Sequence, residues 1–452
     1  MLLKPPLRHI VETIKTGETL ILAEQGLDTL SKEISTTHQS ILPLRTLYLC
    51  YFGLREPLVQ TQVLPYLRQL AKAGIRVHLL TFEPRLRTAW SREQLEGQRA
   101  QLSADGIEWF RLPYHKWPTL PATLFDILAG AWKTFRIART HRIDVIHARG
   151  TLPTSMAMLT RRWTRCQLIF DVRGLNAEEY VDANLWTPDS VRFRVFKWVE
   201  WMSLRQASQV VVLTERMRDW LVSNRLKNAE QIEVIPCCVD FSRFDKAQQQ
   251  QQQSAGGNRF EVIYAGSVTG LYLLEEMAQF FLAVRERQPD AFLRILTSAA
   301  PAEVAARLRQ VGLSSDDFWV GKVSPADVPV YLRRARLGLS FRKPTFAQIA
   351  SSPTKIAEYL AAGVPVVCNA EIGDVDTLLA REQVGVMLRS FDEASYATAA
   401  AEALRLAGET DIGARCIAAA HRNFDLTTVG GARYYNVYRR LSEQRMQAST
   451  AA

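Results

Sequence analysis

The chain has 452 residues, 47% apolar and 23% charged, which excludes a wholly disordered protein and suffices for two or three domains with their own cores. Basic residues exceed acidic ones by 56 − 46 = 10, and the excess is lopsided: residues 1–250 carry 34 basic against 25 acidic side chains, residues 251–452 carry 22 against 21. A basic first half favours an anionic surface or acidic substrate, and no recognition motif points to nucleic acid.

Residues 1–43 form an N-terminal extension with a weak helical pattern. From residue 44 to 245, short β-branched runs alternate with helical patterns: 46–52, 76–82, 107–112, 144–148, 167–172, 209–214 and 232–236 read as strands. Helical segments lie between them, including Val59–Ala73, Thr123–Thr140 and Arg192–Gln206. Residues 246–258, with glutamines from Gln248 to Gln253, cannot bury a core and read as a linker. The alternation resumes over 259–426, with strands at 260–266, 292–298, 318–323, 336–342, 364–369 and 384–390. Residues 427–452 read as a final helix and tail. The pattern predicts an α/β protein of two Rossmann-like domains around parallel sheets, with a ligand cleft between them.

Six cysteines (Cys50, Cys166, Cys237, Cys238, Cys368, Cys416) show neither C-x-x-C nor zinc spacing, which favours a reduced, cytoplasmic protein. The first forty residues lack a secretory pattern. No stretch reaches the roughly 20 apolar residues of a membrane span, and the nearest, Trp117–Trp132, is broken by Asp126. Arginines at 85, 87, 92 and 99 and aromatic or apolar residues at Trp90, Trp109, Trp117, Leu124, Leu128 and Trp132 interleave. With the first half's charge, they could rest on an anionic membrane or simply form core with solvated arginines.

The densest chemical signal is SFRKPTFAQIASSPTKIAEYLAAGVPVVCN, residues 340–369. Ser352 reads as an N-cap with Pro353 in the first turn, and Gly363 ends the helix. A helix start offers free N–H groups to a phosphate; Ser351, Ser352 and Thr354 add hydroxyls, Lys355 a cation, and Glu358 an acceptor for a ribose diol. The spacing alone equally allows an ordinary capped helix. In the first half, DVIHARG places His147 and Arg149, and IFDVRG places Arg173, at strand ends ahead of a loop with Glu178 and Glu179. These arginines could hold a diphosphate or pair with Asp171, Glu178 or Glu179, and His147 could be a structural histidine. Gly53 follows the first strand. Asp374-Val-Asp376 opens a helix, where the dipole favours acids, and is not read as a metal site.

The 340–369 stretch resembles the donor-site helix of family-4 glycosyltransferases of the GT-B fold, in the form SSPTKxxEYLAxGxPVV. FGLREPLVQTQVLPYLRQLAKAG, DVIHARG, IFDVRG, VVVLTERM, IEVIPCCVDFSRF, VIYAGS and EIGDVDTLL agree in order, covering about residues 44–445. The resemblance implies a nucleotide-sugar donor bound by the second domain, an acceptor bound by the first, retention of anomeric configuration, no metal and no cofactor. It also implies a last helix that returns to brace the first domain. By position Glu358 would meet the donor ribose, Arg149 falls where many relatives have a catalytic-site histidine, and Gly53 falls on the acceptor-side loop. With the residues read above, Gly266, Ser267, Arg342, Ser351, Ser352, Thr354, Lys355 and Glu358 are expected to bind donor, Arg149, Arg173 and Lys355 to act on the leaving group, and Gly53, His147 and Glu178 to face the acceptor. The family's first donor glutamate falls at Ala350, and the loop after Gly266 lacks the basic residues common among relatives. The expected activity is sugar transfer to a hydroxyl of a glycan, glycolipid or lipid-linked acceptor, in a cytoplasmic protein that can touch the membrane. The alternatives are an epimerase or phosphorylase on this fold, or a silent nucleotide-sugar-binding partner in a synthase complex.

Overall fold

The protein is described by a computed structural model over residues 44–245 and 259–450; the extension at 1–43 and the linker at 246–258 lie outside the described residues. The first lobe is a seven-stranded sheet of β1 (Arg45–Cys50), β2 (Arg76–Pro84), β3 (Ile107–Tyr114), β4 (Val145–Arg149), β5 (Gln167–Asp171), β6 (Gln209–Val212) and β7 (Ile232–Val234). The second is a six-stranded sheet of β8 (Glu261–Ala265), β9 (Phe292–Leu296), β10 (Phe318–Gly321), β11 (Leu337–Ser340), β12 (Val366–Asn369) and β13 (Gly385–Leu388). Each strand falls on one of the β-branched runs read in the sequence. The central residues of most of these runs are apolar and buried because helices cover both faces of a parallel sheet.

The strand orders are β3-β2-β1-β4-β5-β6-β7 and β10-β9-β8-β11-β12-β13, with every pairing parallel. Both orders reverse beside the lobe's first strand, between β1 and β4 and between β8 and β11. At such a reversal the flanking connections leave in opposite directions and open a crevice beyond the carboxyl ends of the strands. Gly53 and Arg149 stand at the first crevice, Gly266 and Arg342 at the second.

The helices that shape the site are α1 (Leu64–Lys72), α2 (Thr119–Thr140), α3 (Thr151–Thr164), α4 (Asn176–Asp182), α5 (Val191–Gln206) and α6 (Glu215–Ser223) in the first lobe. In the second they are α7 (Thr354–Ala361), α8 (Val375–Glu382), α9 (Ile412–Phe424) and α10 (Ala432–Thr450). The single helix expected over Val59–Ala73 is interrupted at Val63, with φ −125° and ψ −64°, just ahead of Pro65, which has no N–H to continue the ladder.

The chain crosses between the lobes twice, side by side. Val239 N–H donates to Phe424 O at 2.8 Å, and Leu426 N–H donates to Val239 O at 3.0 Å. Beyond the second crossing α10 lies on the first lobe, as the resemblance implied. Tyr438 Oη bonds Thr46 Oγ1 at 2.9 Å, Arg440 pairs with Glu233 at 2.6 Å, and Arg445 pairs with Asp144.

Candidate active site

The second lobe gathers cations around a glycine. Gly266 follows β8 at φ +141°, and a Cβ there would lie 3.0 Å from Lys355 Nζ and 3.3 Å from its Cε. A side chain would therefore push the lysine aside. Lys355, on the first turn of α7, is buried; its Nζ donates to Tyr264 Oη at 2.9 Å and sits 4.1 Å from the ring centres of Tyr264 and Tyr272. Arg342, just past β11, is also buried, with its guanidinium carbon 5.0 Å from the Tyr272 ring centre and its Nε without a hydrogen-bond partner. Burial, with Arg342 nearby, holds the Lys355 amine well below the usual lysine range, against the pull of Glu358. Among the described residues neither cation is in a salt bridge with a carboxylate. Two buried positive groups in such a place are costly unless an anion joins them. Ser267 is exposed at the same turn, its Oγ 3.3 Å from Thr269 Oγ1.

The start of α7 differs from the sequence reading. Pro353, not Ser352, is the N-cap, and it supplies no side-chain bond. Ser352 Oγ instead accepts from Cys237 N–H at 3.2 Å, tying the helix start to the chain crossing. Ser351 is buried with its carbonyl against Gly373, and Thr354 opens the helix half-buried. Glu358, expected to face a ribose, accepts from Arg243 Nη1 at 3.0 Å, while Arg243 Nη2 donates to Pro325 O at 2.9 Å.

In the first lobe the hub is Asp171, the last residue of β5, which is fully buried. Arg149 Nη1 lies 3.5 Å and Arg173 Nη1 3.4 Å from its oxygens, Tyr434 Oη donates at 3.1 Å, and His147 Nε2 stands at 3.8 Å. Burial alone would push the Asp171 carboxyl up, but Arg173, His147 and Arg149 together hold it below the usual carboxylate range. The two arginines expected to meet the leaving group are thus anchored on one carboxylate. Arg149 stays inside, 5% exposed, with a second contact to Gln62 O. Arg173 reaches further: its Nη2 lies 3.4 Å from Sγ of Cys237, the residue whose N–H donates to Ser352.

The acceptor-side expectations are redistributed. His147, expected beside the acceptor, is buried beneath α10, with Nδ1 3.0 Å from Tyr438 Oη and its ring against Tyr48 and Tyr434. It points off the sheet face on which the returning helix packs. Glu178, also expected there, turns to Lys197 at 2.8 Å, which holds Glu200 at 2.6 Å, so it fastens α4 to α5. Burial pushes the carboxyl of its neighbour Glu179 up, against the pull of the Arg342 charge from across the cleft. Gly53 keeps its place at the crevice: a Cβ would lie 2.7 Å from Pro84 Cδ, and the adjacent Leu54 N–H donates to buried Glu83 at 2.9 Å.

The lobes meet through the segment ahead of α7. A 3₁₀ turn at Phe346–Ala350 packs against α4 and α6, and Ala347 and Ala350 are buried in the first lobe's apolar core. A glutamate at 350 would carry its charge into that core, which explains the alanine. Asp374 and Asp376 serve different amides. Asp374 accepts from Glu215 N–H at 2.7 Å and Arg216 N–H at 3.2 Å, capping α6 of the opposite lobe, while Asp376 accepts from Glu371 N–H.

Three features escaped sequence reasoning. Tyr264 and Tyr272 cradle Lys355, and nothing in their spacing announces it. Arg243 engages Glu358 from the first crossing. Past β3, His115 Nδ1 lies 2.6 Å from Asp126 Oδ1, and Tyr51 Oη donates to Asp126 Oδ2 at 2.8 Å. Asp126 is 1% exposed, and its signal was visible as the acid interrupting an apolar helix.

The basic and aromatic set of the first lobe divides. Trp90 and Trp109 are buried, whereas Trp117, Leu124, Leu128 and Trp132 are each more than half exposed. Leu120 and Phe125 join them on α2, and Trp163 on α3 and Trp198 on α5 are exposed on helices packed alongside. No helix among the described residues is long and apolar enough to cross a membrane.

Residues 59–243 match the model for Glycosyltransferase Family 4, and residues 259–405 match that for Glycosyl transferases group 1, one on each lobe. No curated protein matches the chain. Among solved structures, sucrose-phosphate synthase from Thermosynechococcus elongatus is similar at 16% identity, with 88% of this chain and 99% of that one covered and a TM-score of 0.65. A glycosyltransferase from Rickettsia africae is similar at 13% identity, 88% and 98% coverage and a TM-score of 0.63. Anabaena HepE in complex with UDP and glucose is similar at 15% identity, 87% and 99% coverage and a TM-score of 0.61. At these identities the structural likeness is one of fold. With a glycosyltransferase domain on each of two Rossmann-like lobes that face one cleft, the chain is a glycosyltransferase of the GT-B type.

Proposed function

We propose that the chain moves a hexose-type sugar from a nucleoside-diphosphate sugar to a hydroxyl of a lipid-linked or glycolipid acceptor, with retention of configuration and without a metal, in polysaccharide or glycoconjugate assembly. The observation that carries this reading is the pair of buried cations, Lys355 and Arg342, which share the Tyr272 ring at the crevice of the second lobe and have no carboxylate salt bridge among the described residues. A diphosphate satisfies both, with its oxygens reached by Lys355 Nζ and the Arg342 fork. Arg173, held beside Ser352 through Cys237, approaches from the first lobe. As the bond from the sugar's anomeric carbon to the leaving phosphate oxygen breaks, negative charge grows between these groups. The acceptor oxygen bonds to that carbon on the same face, and its proton passes to the departing phosphate oxygen. UDP is the first nucleotide to try, because HepE has been solved with UDP and with UDP-glucose.

The acceptor side of the reading rests on the apolar rows of α2, α3 and α5. A lipid-linked acceptor lies in a membrane, and helices that turn leucines and tryptophans outward beside arginines suit an anionic bilayer surface.

Calorimetric titration with UDP, GDP, ADP, CDP and dTDP tests the donor site. One nucleotide should bind clearly, and Lys355→Met and Glu358→Ala should each weaken it roughly 10- to 150-fold, the equivalent of about 1.5–3 kcal/mol for a charge-assisted contact. Binding to none of the five, or full affinity in Lys355→Met, would overturn the assignment.

A further inference from the structure

At the amino-terminal edge of the first sheet, away from the cleft, three ligand-type side chains converge. His78 on β2 and Glu108 on β3 are register partners, so their side chains leave the same face of the sheet. The end of α2 brings His141 to them as its C-cap. His78 Nε2 and His141 Nδ1 each lie 3.4 Å from the same carboxylate oxygen, Glu108 Oε2. One ligand atom from each residue falls within 4.8 Å of the others.

The hydrogen bonding is unusual for a group with nothing to hold. His78 Nδ1 is 3.1 Å from Thr46 O, and a carbonyl can only accept, so that nitrogen carries the proton. The neutral ring then turns the lone pair of Nε2 toward a carboxylate lone pair. Two acceptors facing each other repel unless a cation stands between them. A backbone carbonyl bound to the far ring nitrogen is also how metal-ligating histidines are oriented. The two nitrogen-to-oxygen spacings of 3.4 Å agree with this: tetrahedral bonds of about 2.0–2.2 Å to nitrogen and oxygen place neighbouring ligand atoms roughly 3.3–3.5 Å apart.

We propose that His78, Glu108 and His141 bind a Zn²⁺ ion that pins the end of α2 to the β2–β3 edge. The fourth position opens on a cavity of about 670 Å³, also lined by Arg45, Arg76 and Arg142, which would draw a small anion to the metal. The site lies at the first residues of the strands, whereas Gly53, Arg149 and Arg173 lie at or beyond their carboxyl ends. Its occupancy is therefore independent of sugar transfer, and the metal-free reading of the cleft is untouched.

The full chain, freed of metal by a chelator and returned to buffer, should be titrated with Co²⁺ as a spectroscopic probe and then with Zn²⁺. One Co²⁺ per chain with the intense visible absorption of tetrahedral coordination, displaced by Zn²⁺, is expected. His141→Ala and Glu108→Gln, both at partly exposed side chains, should each weaken binding at least about tenfold while leaving the circular dichroism spectrum unchanged. No tetrahedral band, or Co²⁺ binding of equal strength in His141→Ala, would overturn the proposal.

Discussion

Lys355 is an amine buried in an aromatic cradle before its ligand arrives. Burial, with Arg342 close by, lowers its pKa, so the free site holds the proton less firmly than a solvated lysine would. A bound diphosphate raises it again, and the protein takes up a proton whenever the pH lies between the two values. Calorimetry of nucleotide binding in buffers of different ionisation enthalpy should therefore show net proton uptake, and Lys355→Met should abolish it. A buffer-independent enthalpy for the unmutated chain would contradict this account. Asp171 is the opposite case, an acid surrounded by positive groups. Asp171→Asn leaves Arg149 and Arg173 buried without their carboxylate and should cost about 3–5 kcal/mol in urea unfolding. Because its folded pKa is depressed below the unfolded value near 3.9, the stabilisation is complete above that value and is lost as the pH falls further. The unmutated chain should therefore lose more stability than the variant below about pH 4.

Among the elements, α2 carries two kinds of information on its two faces. Its inner face holds Asp126, bonded to His115 and Tyr51; its outer face holds Leu120, Leu124, Phe125, Leu128 and Trp132. Amphipathic periodicity normally sends the apolar stripe to the core and the charge to water. Here the buried charge is paired and the exposed apolar row continues onto α3 and α5, as expected of a surface that meets something apolar. Sedimentation with vesicles containing anionic phospholipid should carry the chain down, more at low salt than at high. Leu124→Glu with Trp132→Glu should reduce the bound fraction severalfold without changing nucleotide affinity, since neither residue is near the donor crevice. Equal sedimentation of the double variant would remove the membrane role from α2.

For the whole molecule, the contact between lobes depends on a few directional bonds across the cleft. Asp374 reaches over to cap α6, Ser352 accepts from Cys237, and the 346–350 turn sits in the first lobe's core. Removal of a cap costs about 0.5–2 kcal/mol and releases the amides it held. Asp374→Ala should accelerate amide hydrogen exchange at Glu215 and Arg216 at least about fivefold in the free protein, with little change in the β8–β9 core. Unchanged exchange there would mean that apolar packing alone holds the lobes together.

The sequence by itself determined the thirteen strands, the alternation that makes two lobes, and the place of Gly53 just past the first strand; the donor position of Gly266 and the returning last helix came from the family resemblance. The strands and lobes follow from local periodicity and turn residues, which the chain states within windows of ten to thirty residues. Partnerships between residues far apart in the chain were decided only by the tertiary structure. IFDVRG shows that Arg173 ends near a strand, but not that Asp171 holds it together with Arg149, because β4 and β5 must first pair. Glu178 and Glu179 are indistinguishable as letters; successive positions on α4 point one toward Lys197 and leave the other to feel Arg342. Ala350 stands where the family's donor glutamate falls, and only the place of the 346–350 turn in the opposite lobe's core explains the uncharged side chain.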